Sequence, residues 1–424
     1  MILTAEGGGE MLKIGADRIG KFGVDIANKY HSPRNQEVYL ASCPPGLKRQ
    51  AGGCGIAGCI DVKGGKISGE AITKMITTMG ERENGLGAGY VGYGIFPDRR
   101  DEYCLQFLFD NEDAKTRTEE FLKDNVYITG DERVYTRKVH TLDPPYPLVW
   151  RFFAIAKEKL DWPRGPIFDP NDRIIELAMQ INAEVDGAFC VSSGKDMAVF
   201  KGCGYSHEIA EFFDISRYEG EMWLSHSRFP TNSPGWWAGA HPISILDWSV
   251  CHNGEITSYG VNKKLVEMEG YKCSLLTDTE VVTYLWDMLV RRHGLPIPAA
   301  AFAMAPWYYP LIEGMDEKSK KLATWLRIVY KEAFLNGPFS ILVGRREPET
   351  TMIAMADRKK LRPLIAGTSE KKDVIFAASE ECAIRAVDIK AKTWTADAGS
   401  PIIAQREKGL IRSGLEHPFK GVME

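Results

Sequence analysis

The sequence predicts an α+β protein built from two antiparallel sheets covered by helices. Two observations carry that expectation. Segments with strand character gather towards the two ends of the chain, with helical segments between and after them. The regular strand–helix alternation that a doubly wound parallel sheet would need is missing. A third observation bears on organisation. At 424 residues the chain is long for one compact core, so one large domain with an insertion, or two domains, are the natural readings. Its composition, 44% hydrophobic and 26% charged, allows a sizeable core.

Residues 1–53 read as a leader. They are Gly-rich, carry Pro33, Pro44 and Pro45, and end in the small, flexible Gln50-Ala51-Gly52-Gly53. The next run, Cys54-Gly-Ile-Ala-Gly-Cys-Ile-Asp-Val, is apolar and of strand length. Residues 70–80 carry Ile72, Met75, Ile76 and Met79 at helical spacing, and Gly80 fits a stop. Strands follow at 87–96 and 103–109, with a turn at Pro97-Asp98. Residues 110–218 are more mixed and are set apart as an insertion. Within them helices are expected around 119–123 and 172–183, a hairpin at 185–200, and loops at Asp143-Pro-Pro-Tyr-Pro and 161–170. Strand signals return at 222–229 and 243–252. Helices are expected at 261–269, at 278–292 with Thr277 or Asp278 as the cap, and at 319–334. Short strands at 339–344, 351–356 and 374–378 complete the pattern.

Composition narrows the function classes. With 53 basic against 57 acidic residues the formal net charge is −4, which gives no electrostatic case for nucleic acid. Nine cysteines, with no C-x-x-C pair among them, argue for reduced thiols in a cytoplasmic protein and against a zinc or iron–sulfur site. No metal or cofactor is expected in this chain. Residues 1–30 lack the apolar region of a secretory signal. The longest apolar stretch, 299–312, is broken by Pro306 and Pro310 and is too short to span a bilayer.

Five stretches could carry chemistry. Gly87-Ala-Gly89-Tyr-Val-Gly92 fits a dinucleotide fingerprint, but it lies inside a β-prone run rather than between a strand and a helix. Close sheet packing is the better reading. Ser225-His-Ser-Arg228-Phe-Pro-Thr231-Asn232 places an arginine at the end of an apolar strand, where it could grip a carboxylate or simply face solvent. Cys251-His252-Asn253-Gly254-Glu255-Ile256 ends another strand. Asn-Gly there makes a turn, or an oxyanion hole in which the Asn amide and the Gly N–H point at one developing charge. Thr277-Asp278-Thr279-Glu280 opens a helix, so Asp278 is a cap or a partner for a substrate ammonium. Cys54, after Gly53, is a small core residue unless a base stands near it.

Taken together and in this order, the stretches resemble the class II glutamine amidotransferases. The likeness rests on Cys54-Gly-Ile-Ala-Gly, Arg82-Glu-Asn-Gly, Arg228-Phe-Pro-Thr-Asn, His-Asn253-Gly-Glu-Ile and Thr-Asp278-Thr-Glu. Late pieces agree: Asn336-Gly-Pro-Phe-Ser, Asp357 to Arg362-Pro363-Leu364, and Ala378-Ser-Glu380-Glu-Cys-Ala. The likeness runs from Cys54 to about residue 387, interrupted at 110–218. The Arg228 and Asn253 motifs, the leader and the insertion look closest to the amidotransferase domain of glutamate synthases. The resemblance implies an N-terminal-nucleophile αββα sandwich over residues 54–405, after a leader of 1–53 and before a tail of 406–424.

It also implies a mechanism. Cleavage between Gly53 and Cys54 frees an α-amine, which titrates at roughly 7.7–8.0 and suits a general base near neutral pH. The Cys54 thiolate would attack the side-chain amide of L-glutamine, with Asn253 and Gly254 holding the oxyanion. Arg228 would hold the substrate carboxylate and Asp278 its ammonium, Thr231 and Asn232 would line the same loop, and Arg82 would brace the Cys54 end. The ammonia would pass to a synthase partner, a flavin and iron–sulfur protein if the partner is that of a glutamate synthase. Two rival expectations stand beside this one: an N-terminal-nucleophile hydrolase of another small amide, and a non-catalytic regulatory subunit that keeps its leader.

Overall fold

The computed structural model describes residues 53–158, 169–229 and 235–420. Two large antiparallel sheets organise them. One has seven strands, in the order Lys392–Trp394, Ile365–Thr368, Val374–Ala378, Gly55–Asp61, Met222–Ser227, Ala88–Tyr93 and Met197–Gly202. The other has six: Ile243–Ile245, Trp248–Gly254, Phe339–Arg345, Thr351–Ala356, Ile402–Gln405 and Gly409–Ser413.

The strand Gly55–Asp61 shows why the sheets stack. It is central and wholly buried, so it reads as a continuous apolar run rather than a half-polar one. Alternation still assigns its faces. Ile56 and Ile60 pack with Leu342, Met352 and Ala354 of the six-stranded sheet. Ala57 and Cys59 face the other way, into a cluster with Ile72, Met75 and Ile76 of the helix Gly69–Thr77 and with Ala383 and Ile384 of the helix Glu381–Val387. A Cβ on Gly58 would lie 3.1 Å from Met352 Sδ and 3.3 Å from Leu342 Cδ1 of the facing sheet, so glycine here lets the layers close. On the far side, Val281, Val282 and Leu285 of the helix Asp278–Trp286 pack with Val250, Ile341 and Val343. The α+β expectation holds, with helices covering the outer face of each sheet.

The region set apart as an insertion is divided. A separate four-stranded sheet, ordered Val126–Arg133, Leu148–Ala156, Tyr103–Phe109 and Ala188–Ser192, is covered by the helices Glu112–Asn125 and Pro170–Glu184. Its Phe107, Phe109 and Phe152 share a core with Trp248 and Trp286. Met197–Gly202 and the helix Ser206–Phe213 belong instead to the seven-stranded sheet and its helical cover. Gly409–Ser413, within the segment expected to be a tail, forms the edge of the six-stranded sheet.

Two expectations are corrected. Residues 185–200 are not a hairpin. Ala188–Ser192 pairs with Tyr103–Phe109, whereas Met197–Gly202 pairs with Ala88–Tyr93. Asp196, at φ 50°, makes the handover, its carboxylate accepting from Phe96 N at 2.7 Å and Arg346 Nη2 at 3.0 Å. Residues 243–252 are not one strand but two, folded back with Ile245 opposite Trp248. The turn uses Leu246 at φ 48°, a residue type that carries no turn signal. Residues 1–52 lie outside the described residues.

Leu342 is fully buried where the sheets meet. Leu342→Ala should destabilise the protein by about 2–5 kcal/mol, read from urea unfolding. A loss under about 0.5 kcal/mol, the range of surface changes, would remove this residue from the core.

Candidate active site

Register brings the motifs together. In the pairing of Gly55–Asp61 with Met222–Ser227, Gly55 stands opposite Ser227. The residues that follow Ser227 therefore run beside Cys54, and Phe229 N donates to Cys54 Sγ at 3.2 Å. A Cβ on residue 55 would lie 2.5 Å from Ser227 Oγ, so glycine permits that approach. Cys54 is half-buried. Its carbonyl accepts from Arg82 Nε at 3.1 Å, and Arg82 Nη1 pairs with Glu380 Oε1 at 2.8 Å. Arg228 is buried and anchored through its backbone, its N–H donating to Gly87 O at 2.8 Å.

Asn253 and Gly254 end the strand Trp248–Gly254, in the facing sheet. Asn253 is fully buried. Its Nδ2 is 3.5 Å from Ser379 Oγ, which also accepts from Ile56 N at 3.1 Å, while Ser379 N donates to Ile56 O at 2.9 Å. Ser379 thus ties the start of the Cys54 strand to Asn253 across the two sheets. Gly254 sits at φ 142°, and a Cβ there would fall 2.0 Å from Pro338 O. Only glycine fits that position. Gly53 lies at the same place: a Cβ on it would be 3.2 Å from Arg362 Nη1, 3.6 Å from Arg82 Nη2 and 3.7 Å from Asn253 Oδ1.

Asp278 is the first residue of the helix Asp278–Trp286, whose cap is Thr277. Its Oδ2 accepts from Ile256 N at 2.9 Å and its Oδ1 is 3.4 Å from His252 Nδ1. Burial pushes the Asp278 carboxyl up, but His252 and the amides of Ile256 and Thr279 outweigh it and hold the group below its ordinary value. Asp278 is therefore an anion at neutral pH. Burial pushes the Cys54 thiol up, and the Phe229 amide, Arg228 and Arg362 offset part of that, with Asp278 acting against them.

Cys54, Arg82, Arg228, Asn253, Gly254 and Asp278 thus converge at one end of the sandwich. Thr231 and Asn232 lie outside the described residues. Ser379, His252, Arg362 and Glu380 join the site without having been singled out. All four stood inside quoted motifs, but the contact of Ser379 with Ile56 spans 323 residues and could not be read from its neighbours in sequence. Gly89 and Gly92 lie in the strand Ala88–Tyr93, and Gly87 directly precedes it. A Cβ on Gly89 would lie 2.4 Å from His241 O, which is close packing and not a phosphate loop. Among the described residues no cluster of three or more His, Cys, Asp or Glu is arranged to hold a metal ion, and no helix is long and apolar enough to cross a membrane.

Behind the site lies a buried polar layer. His226 Nε2 is 2.9 Å from His252 O and 3.2 Å from His241 Nδ1, and His241 Nε2 is 3.3 Å from Thr277 Oγ1. Burial drives His226 down to about 3, so the imidazole is neutral. Burial likewise lowers Lys201 to about 7. Glu280 is pushed up to about 7 by burial, although Ser274 N, Leu275 N and Tyr284 Oη all donate to it.

The sequence is similar to known proteins across most of its length. A family model described as glutamine amidotransferases class-II matches residues 171–411. An uncharacterized protein of Archaeoglobus fulgidus is 44% identical over 367 residues, covering 85% of this chain and 94% of its own length. A protein of Methanothermobacter thermautotrophicus, named provisionally as a glutamine amidotransferase, is 27% identical over 79% of this chain and 93% of its own length. A glutamine–fructose-6-phosphate aminotransferase of Vibrio vulnificus is 30% identical over 104 residues, which are 24% of this chain and 17% of that protein.

The buried acid makes folding stability depend on pH. Glu280 goes from an ordinary 4.5 to about 7 in the folded state. Between those values the folded chain keeps a proton that the unfolded chain has lost, so this residue's contribution to stability falls as pH rises. Glu280→Gln is neutral throughout and should remove that part of the slope. Unfolding free energies measured from about pH 5 to 7 should therefore decline less steeply in the variant than in the native protein. Equal slopes would mean that Glu280 is ionised in the fold.

Proposed function

The chain belongs to the class II glutamine amidotransferases, and from that membership we propose that it hydrolyses the side-chain amide of L-glutamine through a Cys54 thioester and passes the ammonia to a synthase partner. The observation that carries the reading is the convergence on Cys54 of residues that would serve as a carboxylate grip, an ammonium partner and an oxyanion hole. They come from segments as far apart in sequence as Arg82, Arg228, Asn253 and Asp278, and the Phe229 amide already contacts the sulfur.

On this reading the peptide bond between Gly53 and Cys54 is cut first. The freed amine takes the thiol proton, and the thiolate attacks the amide carbon of glutamine. Negative charge builds on the former carbonyl oxygen, where Asn253 Nδ2 and the Gly254 N–H receive it. The contact of Asn253 Nδ2 with Ser379 Oγ is long, 3.5 Å, so the amide gives up little by turning to an oxyanion. The protonated amine then hands its proton to the departing nitrogen, ammonia leaves, and water releases glutamate from the thioester. Arg228 pairs with the α-carboxylate and Asp278 with the α-ammonium. Two fixed opposite charges favour a free amino acid over an amide inside a peptide, because each charge left without its counterpart is costly when buried. The stacked sheets with helices on both outer faces suit the αββα N-terminal-nucleophile sandwich of this reading.

For the acceptor, the Arg228-Phe-Pro-Thr-Asn and Asn253-Gly-Glu-Ile motifs favour the synthase component of a glutamate synthase. The aminotransferase relative, whose name gives fructose 6-phosphate, offers an amino-sugar alternative over a shorter match. Ammonia-dependent and glutamine-dependent synthesis with each purified acceptor system would separate them.

The direct test pairs N-terminal sequencing of the active protein with a glutaminase assay. Active protein should begin at Cys54, and Cys54→Ala should abolish ammonia release. Full activity in protein still beginning at Met1 would sink the terminal-amine mechanism. Single changes should separate the roles. Asn253→Ala should lower kcat by about 10²–10³ with little change in KM. Asp278→Asn should raise KM for glutamine by about tenfold to a hundredfold, the worth of a hydrogen bond to a charged group.

A further inference from the structure

Arg362 lies in the site, yet the mechanism above gives it no part. The turn that carries it is built on Asp357, whose carboxylate accepts from Phe339 N at 3.2 Å, Lys359 N at 2.8 Å and Leu361 N at 2.9 Å. Pro363 follows directly. The guanidinium so presented comes within 3.2 Å of where a Cβ on Gly53 would be. Cys54 N is three bonds from that point, which puts the cation within about 6.5 Å of the nitrogen. Arg362 Nε is buried without a hydrogen-bond partner, and among the described residues no carboxylate pairs with this side chain. Arg82 Nη2 would lie 3.6 Å from the same point, but Glu380 neutralises it and the Cys54 carbonyl occupies its Nε.

We propose that Arg362 is a positioning residue for the proton of the Cys54 thiol–amine pair, acting as the one cation beside Gly53 that no carboxylate among the described residues compensates. The proposal rests on Cys54 being the terminal nucleophile. A fixed positive charge disfavours an ammonium next to it and favours a thiolate. The amine therefore stays a free base at neutral pH, and the proton it takes from sulfur moves on to the leaving nitrogen. The charges that face the pair are Arg228 after the strand Met222–Ser227, Asp278 at its helix start with His252 behind it, Arg82 with Glu380, and Arg362. Asp278 opposes the arginines, so removing Arg362 shifts the balance towards the protonated forms.

The test follows Cys54 itself. Alkylation by iodoacetamide reports the thiolate fraction, and peptide mass spectrometry of the full chain isolates Cys54 from the other eight cysteines. Arg362→Gln should raise the pH midpoint of Cys54 alkylation, and the acidic limb of the kcat/KM profile for glutamine, by about one unit. Arg362→Lys should restore both. Glu380→Gln, at a half-exposed position, should lower both midpoints, because it leaves Arg82 without its counter-charge. An unchanged midpoint in Arg362→Gln overturns the proposal whatever the loss of rate, and so does a raised KM at an unchanged midpoint, which would make Arg362 a substrate contact. Glutaminase activity retained by Cys54→Ala would overturn the reading of Cys54, a failure that the alkylation midpoints do not share.

Discussion

The pairing of Gly55–Asp61 with Met222–Ser227 is the constraint on which the site depends. Side chains alternate along a strand, so a slip of one residue would exchange the faces of Ile56 and Ala57 and move Phe229 N away from the Cys54 sulfur. Both neighbours of the strand hold the register. On one side Gly55 meets Ser227, and on the other Ala57 meets Ala378. Ser379 then closes the end by exchanging hydrogen bonds with Ile56. Three segments distant in sequence are thereby fixed around one thiol before any substrate arrives, which is the pre-organisation that a nucleophile and its oxyanion donors need.

Buried charge is the second theme. Arg228 and Asp278 are each held in low-dielectric surroundings through contacts that leave them able to act on Cys54. Asp278 stays anionic only because His252 and two backbone amides outweigh its burial. The imidazole behind them, His226, is neutral, so it supplies a dipole and hydrogen bonds without adding a competing cation. A zwitterionic amino acid entering this site would find its charges met by fixed partners. On the proposed reading, a neutral amide would bring no charge to either group, and the cost of that mismatch would set selectivity.

Much of this was legible in the sequence because the chemistry constrains residue types locally. Asn253-Gly254 declares a strand end where the backbone must approach closely, and the clash of any Cβ with Pro338 O shows why. The helix Gly69–Thr77 follows its Ile72, Met75 and Ile76 spacing. What was not legible depended on partners far along the chain. Ser379 stood within a late motif, but its place in the site is defined by a bond across 323 residues. Leu246 turns a strand without a turn residue, because the strand pair and Ser193 Oγ, which accepts from Leu246 N at 2.9 Å, impose it. The fate of residues 188–202 could not be read either, since period-2 patterning marks a strand without saying which sheet receives it.

Burial sets the Cys54 thiol against ionisation, so a nucleophile here needs a proton acceptor within reach. In the amide-linked chain the nitrogen of residue 54 shares its lone pair with the Gly53 carbonyl and cannot accept a proton. The groups around it, from the Phe229 amide to Arg228, Arg362 and Asp278, are nevertheless already in place. Among the described residues, folding thus assembles the proposed site apart from the base. On the proposed reading, cleavage of one bond would supply the base without moving the sulfur, because the contacts that hold residue 54, its carbonyl on Arg82 and its strand between two neighbours, all lie on the side of the chain that would remain.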